Sequence, residues 1–170
     1  MTSPQKAKGN SYEREVAAYL TKTYGETFIR APGSGAYVGG SNQKRKAFLH
    51  EGQIRSFKGD IVPGQSFPRM NAECKSYADF PWHQLLQGSC KQMDKWIEQL
   101  LDVADEGDFN ILFMKFNRKG KFIAVESRHI WDHPLPFFQY YYSTNNSSWH
   151  VFDFDIFMNH YSDKVKAHCL

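Results

Sequence analysis

Two acidic residues and a lysine give this chain its clearest chemical signal. Glu73 and Lys75 stand two residues apart, and Asp60 begins the short apolar stretch Asp60-Ile61-Val62. Two carboxylates on neighbouring strands can hold a divalent cation against a phosphodiester, and a lysine beside them can position an attacking water. The pattern therefore predicts a metal-assisted hydrolytic site. The alternative is an exposed ion pair on a solvated strand, which would add little stability.

The strand that contains Glu73 is predicted from its alternation. Apolar and polar residues alternate from Met70 to Lys75, which places Glu73 and Lys75 on one face. Asp60 would join them if the chain turns back as a hairpin at Pro63.

A third carboxylate, Glu13, lies in a predicted N-terminal helix. Asn10 or Ser11 can cap this helix and Gly25 can end it. Its apolar stripe consists of Val16, Ala17, Leu20 and Tyr24. Glu13 falls on that stripe, where a carboxylate is costly unless a partner or a metal meets it. Glu13 could instead lie at the wet edge of the stripe, since the helix dipole favours an acid in the first turn.

These residues belong to four blocks that follow one another along the chain. The blocks are Lys8–Glu15, Ile29–Gly35, Asp60–Val62 and Glu73–Lys75. In type and order they resemble the archaeal-type Holliday-junction resolvases of the PD-(D/E)XK nuclease superfamily, over roughly residues 6 to 130. The resemblance implies an α/β (α+β) protein with a restriction-endonuclease-like core, in which helices flank a central mixed β-sheet.

The resemblance also implies an activity. It is that of a magnesium-dependent, structure-selective endonuclease of DNA recombination and repair, which nicks a four-way junction symmetrically as a homodimer. Mn²⁺ would be able to replace Mg²⁺. Glu13, Asp60 and Glu73 would gather the metal, and Lys75 would orient or activate the hydrolytic water.

Other residues correspond to DNA contacts of that family. Arg30 would contact the backbone near the cut. Ser34 occupies the position of a loop serine, and the resemblance implies that its hydroxyl helps in catalysis. Arg14 follows the catalytic glutamate and would contact DNA or pair with a neighbouring carboxylate.

Residues 36 to 58 form an insertion, because the family usually passes from the Gly/Ser loop to the aspartate within a few residues. Its basic side chains are Lys44, Arg45, Lys46, Arg55 and Lys58. Basic groups beside such a site gain free energy by releasing DNA counterions, so we expect them, together with Lys8, to contact phosphates. A plain solvated loop is the alternative.

The charge distribution agrees with a polyanionic partner. The net charge is only +3, but residues 1 to 75 hold twelve Lys and Arg against six Asp and Glu, whereas residues 76 to 170 hold nine against twelve. The basic half is the half with the predicted site.

The rest of the chain predicts one domain over residues 1 to 170, because no linker divides it. A helix is expected at Gln84–Ala104, a hairpin at 109–116 and 122–126 with a basic tip, and a strand at Val151–Phe157. From about residue 131 an aromatic-rich C-terminal extension is expected to fill the core and form a subunit interface, with base stacking as the alternative.

Neither a signal peptide nor a transmembrane run is apparent, so an intracellular, cytoplasmic protein is expected. The three cysteines lack metal-ligand spacing and are expected to be reduced thiols.

Two alternative functions remain open. One keeps the chemistry and changes the substrate to flaps, mismatches or ordinary duplex, for which the long insertion is the main argument. The other is a non-catalytic DNA-binding protein with a vestigial site. The intact acidic set argues against the second alternative, because converging carboxylates would repel a phosphate without a cation between them.

Overall fold

The computed structural model describes residues 4–32, 58–129, 140–144 and 147–170. The helices are α1 (Pro4–Tyr24), α2 (Trp82–Leu86), α3 (Lys91–Asp102) and α4 (Phe154–Cys169). The strands are β1 (Ile29–Arg30), β2 (Ile61–Val62), β3 (Met70–Tyr77), β4 (Phe109–Phe116), β5 (Gly120–Glu126), β6 (Tyr140–Ser143) and β7 (Ser148–Asp153). A short 3₁₀ helix, Ser127–His129, follows β5.

Five strands form a mixed sheet in the order β3-β4-β5-β7-β6. β3 runs parallel to β4, which requires a crossover connection, and α2 and α3 lie in that connection. The other neighbours pair antiparallel, and β1 and β2 form a separate two-stranded antiparallel pair. This mixed sheet flanked by helices confirms the predicted fold class and is consistent with a restriction-endonuclease-like core.

Two apolar layers cover the two faces of the sheet. On one face, α1 and α4 pack against buried residues such as Ile111 and Ile123. On the other, α3 packs against residues that include Leu112 and Trp149. β3 therefore has a helical layer on either side of it.

The aromatic residues after position 139 contribute to this core. Tyr142, Trp149, Phe152 and Phe157 are buried within the sheet or the helix that follows it. For these four residues the prediction of a core role is confirmed. Tyr141 differs, because it lies 55% exposed on the edge strand β6.

Helix α1 begins earlier than predicted. It starts at Pro4, so Asn10 and Ser11 are interior residues and not caps. Proline is favoured in the first helical turn, and the Gln-Lys-Ala-Lys run that follows consists of good helix formers. The predicted end is confirmed: Gly25 follows Tyr24 with φ +69°, and its N–H donates to the Thr21 carbonyl.

The helix predicted at Gln84–Ala104 is two helices. Gly88 adopts φ +76° between α2 and α3, so the chain turns there and the predicted stripe is broken. Met93, Trp96 and Leu100 are buried as expected, whereas Leu86, on the far side of the break, is 63% exposed.

The predicted strand at Val151–Phe157 is also wrong in its second half. The strand β7 ends at Asp153, whose carboxylate accepts a hydrogen bond from the Ile156 N–H at 3.0 Å. This contact is an N-cap, and it starts α4 at Phe154 although the apolar residues continue to alternate.

Within the described ranges, no helix combines the length and apolar character needed to cross a membrane.

Candidate active site

The face of β3 that bears Glu73 and Lys75 is as predicted. Met70, Ala72 and Cys74 belong to the apolar layer beneath α1 and α4. Glu73 and Lys75 lie on the other face of the strand, which is an edge strand of the sheet. The alternation in the sequence therefore predicted correctly which face of β3 carries the two side chains.

Asp60 lies against β3 through its own backbone and side chain. Its N–H donates to the Ala72 carbonyl at 2.8 Å, and its carboxylate accepts from the Cys74 N–H at 2.8 Å. The approach depends on Gly59, which has φ +67° and where an added Cβ would lie 2.5 Å from the Ala72 oxygen. Asp60 thus reaches the strand by a close backbone approach and not by the predicted hairpin, since β2 pairs with β1.

Helix α1 brings Glu13 to the same location. Glu13 is buried, and its carboxylate accepts a hydrogen bond from the Arg30 guanidinium. Arg30 also donates to the Asn10 side chain at 2.8 Å. One turn before Glu13, Gly9 has no side chain to cover the carboxylate. The core-facing position predicted for Glu13 is confirmed.

Lys75 connects the site to α3. Its ammonium donates to the Glu73 carboxylate at 2.6 Å and to the Gln99 side-chain oxygen at 2.8 Å. The sequence prediction missed Gln99. Its only signal was its position beside Leu100 in a helix expected to pack on the sheet, where the border of the apolar stripe faces the strand end.

Asp60, Glu13, Glu73 and Lys75 line one open cavity of about 620 Å³. Its lining also includes Lys8, the last two residues of β3 and the two residues that follow the strand, Ala78 and Asp79. The structure therefore brings together the four residues predicted to be catalytic.

The acidic side chains in the cavity perturb one another. Burial and then the nearby Asp60 carboxylate raise the pKa of Glu73 to about 7, against the charge and hydrogen bond of Lys75. Burial and then Asp60 also raise the pKa of Glu13, against the hydrogen bond and charge of Arg30. Carboxylates whose pKa values are raised by burial and by one another are stabilised in their charged form by a nearby cation.

The donor set fits a hard divalent ion, because it consists of three carboxylates with oxygen ligands. In the structure Glu13 and Glu73 are engaged by Arg30 and Lys75. Across residues 4–32, 58–129, 140–144 and 147–170, no group of three or more His, Cys, Asp or Glu side chains is gathered closely enough to hold a metal. Metal binding would therefore draw Glu13 or Glu73 away from its basic partner.

The other residues that were predicted to contact DNA differ in their exposure. Lys8 and Arg14 are exposed on α1. Lys58 is buried and forms ion pairs with Asp108 and, at 2.9 Å, with Asp105. A phosphate contact by Lys58 would require these pairs to open. Ser34, Lys44, Arg45, Lys46 and Arg55 lie outside the described residues.

An edge strand with Glu-x-Lys, an aspartate placed beside it and a helical glutamate, on a mixed sheet between helices, defines a nuclease of the PD-(D/E)XK superfamily. A family model described as "Phage putative PDDEXK endonuclease" matches residues 4–166. The chain belongs to this family, and membership implies an endonuclease. No curated protein and no solved structure matches the chain.

Proposed function

We propose that this protein is a magnesium-dependent, structure-selective DNA endonuclease that resolves four-way junctions. The observation that supports the proposal is the single cavity in which Glu13, Asp60, Glu73 and Lys75 meet. Family membership supports hydrolysis of a nucleic-acid backbone. The four sequence blocks support the choice of a junction.

Asp60 and Glu73, joined by Glu13, would hold the divalent ion. When bound, Mg²⁺ or Mn²⁺ supplies Lewis-acid stabilisation of the charge that develops on the phosphoryl oxygens. Lys75 is held by Glu73 and Gln99, so its ammonium is oriented where it can position the attacking water. Water adds to phosphorus and the P–O3′ bond breaks, which leaves a 5′-phosphate and a 3′-hydroxyl.

Basic residues near the cavity would bind the DNA backbone. Lys8 lines the cavity. Arg30 pairs with Glu13, which also lines the cavity. Lys44, Arg45, Lys46 and Arg55, in the insertion, complete the basic half of the sequence. Two symmetric nicks require two active sites, which a twofold homodimer supplies.

The test is cleavage of a synthetic immobile four-way junction, with linear duplex and flap DNA alongside, in Mg²⁺ and in EDTA. Paired nicks confined to the junction, dependent on Mg²⁺ and lost in Glu73→Gln, are the expected result. Cutting of every duplex would instead make the protein a general nuclease. Tight binding without any cutting would favour a vestigial DNA-binding protein.

Helix α1 offers a matched control for the third carboxylate. Glu13→Gln removes an acid from the cavity, whereas Glu15→Gln removes one from an exposed pair with Lys115. We expect the first variant to lose cleavage and the second to keep it. Equal activity in both variants would remove Glu13 from the site.

A further inference from the structure

A tyrosine extends the active-site face of β3 into solvent. Tyr77 follows Glu73 and Lys75 at the same two-residue spacing, so its side chain lies on their face of the strand. It lines the same cavity as these residues and is 43% exposed. An exposed aromatic ring therefore lies beside the groups that are proposed to act on the substrate.

The ring of Tyr77 is supported from behind. It packs on Trp96 with ring centroids 5.1 Å apart, and Trp96 stacks on Phe80 at 5.4 Å. Phe80 in turn stacks on Phe116 at 5.0 Å. This series of aromatic rings leads from the core to the surface and ends at Tyr77, so the exposed part of the tyrosine is held in place.

The position of Tyr77 relative to the catalytic groups sets what it can contact. At a strand rise of about 3.3 Å per residue, Tyr77 lies about 7 Å beyond Lys75 and about 13 Å beyond Glu73. Successive phosphates of one DNA strand advance about 3.4 Å along a duplex axis. The tyrosine is therefore a few nucleotides at most from a phosphate bound at the carboxylates.

We propose that Tyr77 is a specificity-determining residue that stacks on a base which has lost a stacking neighbour in the DNA, within a few nucleotides of the scissile phosphate. Bases within a continuous duplex are covered by their neighbours, so an aromatic ring can stack only on a base that a branch point or a gap has exposed. Base stacking on aromatic side chains tolerates any sequence and strengthens binding substantially. Tyr77 thus selects distorted DNA by its structure and not by its sequence.

This inference rests on the proposed function and names the feature of the substrate that the site recognises. Its test uses branched DNA with 2-aminopurine at single positions within three nucleotides of the cut. Binding is followed by fluorescence in the non-cutting Asp60→Asn background, with Tyr77, Tyr77→Leu or Tyr77→Trp. Tyr141→Leu is the matched control, because Tyr141 is also an exposed strand tyrosine but lies on β6, at the opposite edge of the sheet.

We expect 2-aminopurine at one of these positions to be quenched by the protein with Tyr77 and by Tyr77→Trp, and to stay bright with Tyr77→Leu. In the cutting background, Tyr77→Leu should lower the ratio of junction to duplex cleavage about tenfold. If Tyr77→Leu shows the same quenching and the same cleavage ratio as Tyr141→Leu, the inference is overturned. Absence of cutting by the wild type would overturn the proposed function, while the fluorescence comparison would still decide the role of Tyr77.

Discussion

Two charged clusters lie on either side of Gly59, and the acids in them have different electrostatic environments. The lysine cluster consists of Lys58, Asp105 and Asp108, in which one buried ammonium pairs directly with two acids. The site cluster consists of Glu13, Asp60 and Glu73, three buried acids that line a cavity. In the lysine cluster the ammonium of Lys58 balances the buried Asp108 directly and also pairs with the exposed Asp105. In the site cluster burial and mutual repulsion raise the pKa of two of the acids.

The comparison separates a structural role from a chemical one. The buried Asp108 and the exposed Asp105, both paired with Lys58, hold the loop before β4 to the segment before β2. In the site cluster Glu13 and Glu73 also have basic partners, Arg30 and Lys75, but the acids still repel one another, which suits the proposed binding of a cation. Lys58 and Asp60 are only two residues apart, so one short segment contributes to both clusters.

The largest expected effect is the loss of cleavage when Asp60 in the site cluster is replaced. The matched replacement in the lysine cluster is that of Asp108. Asp60→Asn should lower cleavage on the order of 10³-fold or more, because a ligand for the metal is lost. DNA binding should persist or strengthen, since one repulsive charge is removed. Cleavage rates and binding in Mg²⁺ measure both.

Asp108→Asn is the counterpart in the lysine cluster. It should lower the free energy of unfolding while the folded protein still cuts. A parallel loss of binding and cutting in Asp60→Asn, at unchanged stability, would argue against its catalytic assignment.

The glycine between the clusters should give the next effect. Gly59→Ala places a Cβ against the Ala72 carbonyl and forces Asp60 away from β3. A displacement of about 1 Å can lower a rate about 10²-fold, so we expect a loss of that order in cleavage. Gly25→Ala is the control, because Gly25 has a similar φ of +69° but nothing within 4 Å of an added Cβ. It should show only the cost of the left-handed backbone, about 1 kcal/mol, with normal cleavage. Equal cleavage in the two variants would contradict the account.

Lys58→Met should lower the free energy of unfolding. It leaves Asp108 buried without its cation, which typically costs about 3 kcal/mol. Lys115→Met breaks the exposed pair with Glu15 and should cost less than about 1 kcal/mol. Urea unfolding of both variants checks the difference. If Lys58→Met retains wild-type stability but loses DNA affinity, Lys58 is a phosphate contact, as the sequence first suggested.

The smallest expected effect is on the pH dependence of the free energy of unfolding. It involves His129, which contacts the Asp108 carbonyl at 2.9 Å. Burial and then Arg128 lower the pKa of this imidazole. On acidification the unfolded state therefore binds the proton first, so the free energy of unfolding should fall as the pH drops below about 6.5. His129→Gln should lose less stability between pH 7 and pH 5 than the wild type does. Parallel curves in urea unfolding at several pH values would rule out this contribution.

The sequence predicted the positions of the four candidate residues better than the bounds of the elements around them. Glu73 and Lys75 follow a two-residue period that a strand imposes, and Glu13 follows a helical one, so local periodicity was sufficient for each. Gln99 was missed because its role arises from the packing of α3 beside β3, which no local pattern specifies. Gly59 was passed over for the same reason, since its φ and its contact with Ala72 depend on the pairing of distant segments.

The errors in the elements also have physical causes. At Gly88 a left-handed residue interrupted a stripe that looked continuous, and at Phe154 a side-chain cap outweighed strand-like alternation. The start of α1 was placed too late because Asn10 and Ser11 are good caps, although the helix continues through them. Local signals compete at such boundaries, and tertiary packing decides between them.

The hydrogen bonds of Asp60 have a consequence for the sheet itself. β3 is an outer strand, and an outer strand with open N–H and C=O groups is a template for pairing with another chain. Asp60 blocks two of these groups, because its N–H takes the Ala72 carbonyl and its carboxylate takes the Cys74 N–H. The acid that is proposed to act in cleavage therefore also prevents another strand from pairing with β3 at this point, and a replacement that could not accept a hydrogen bond would free the Cys74 N–H.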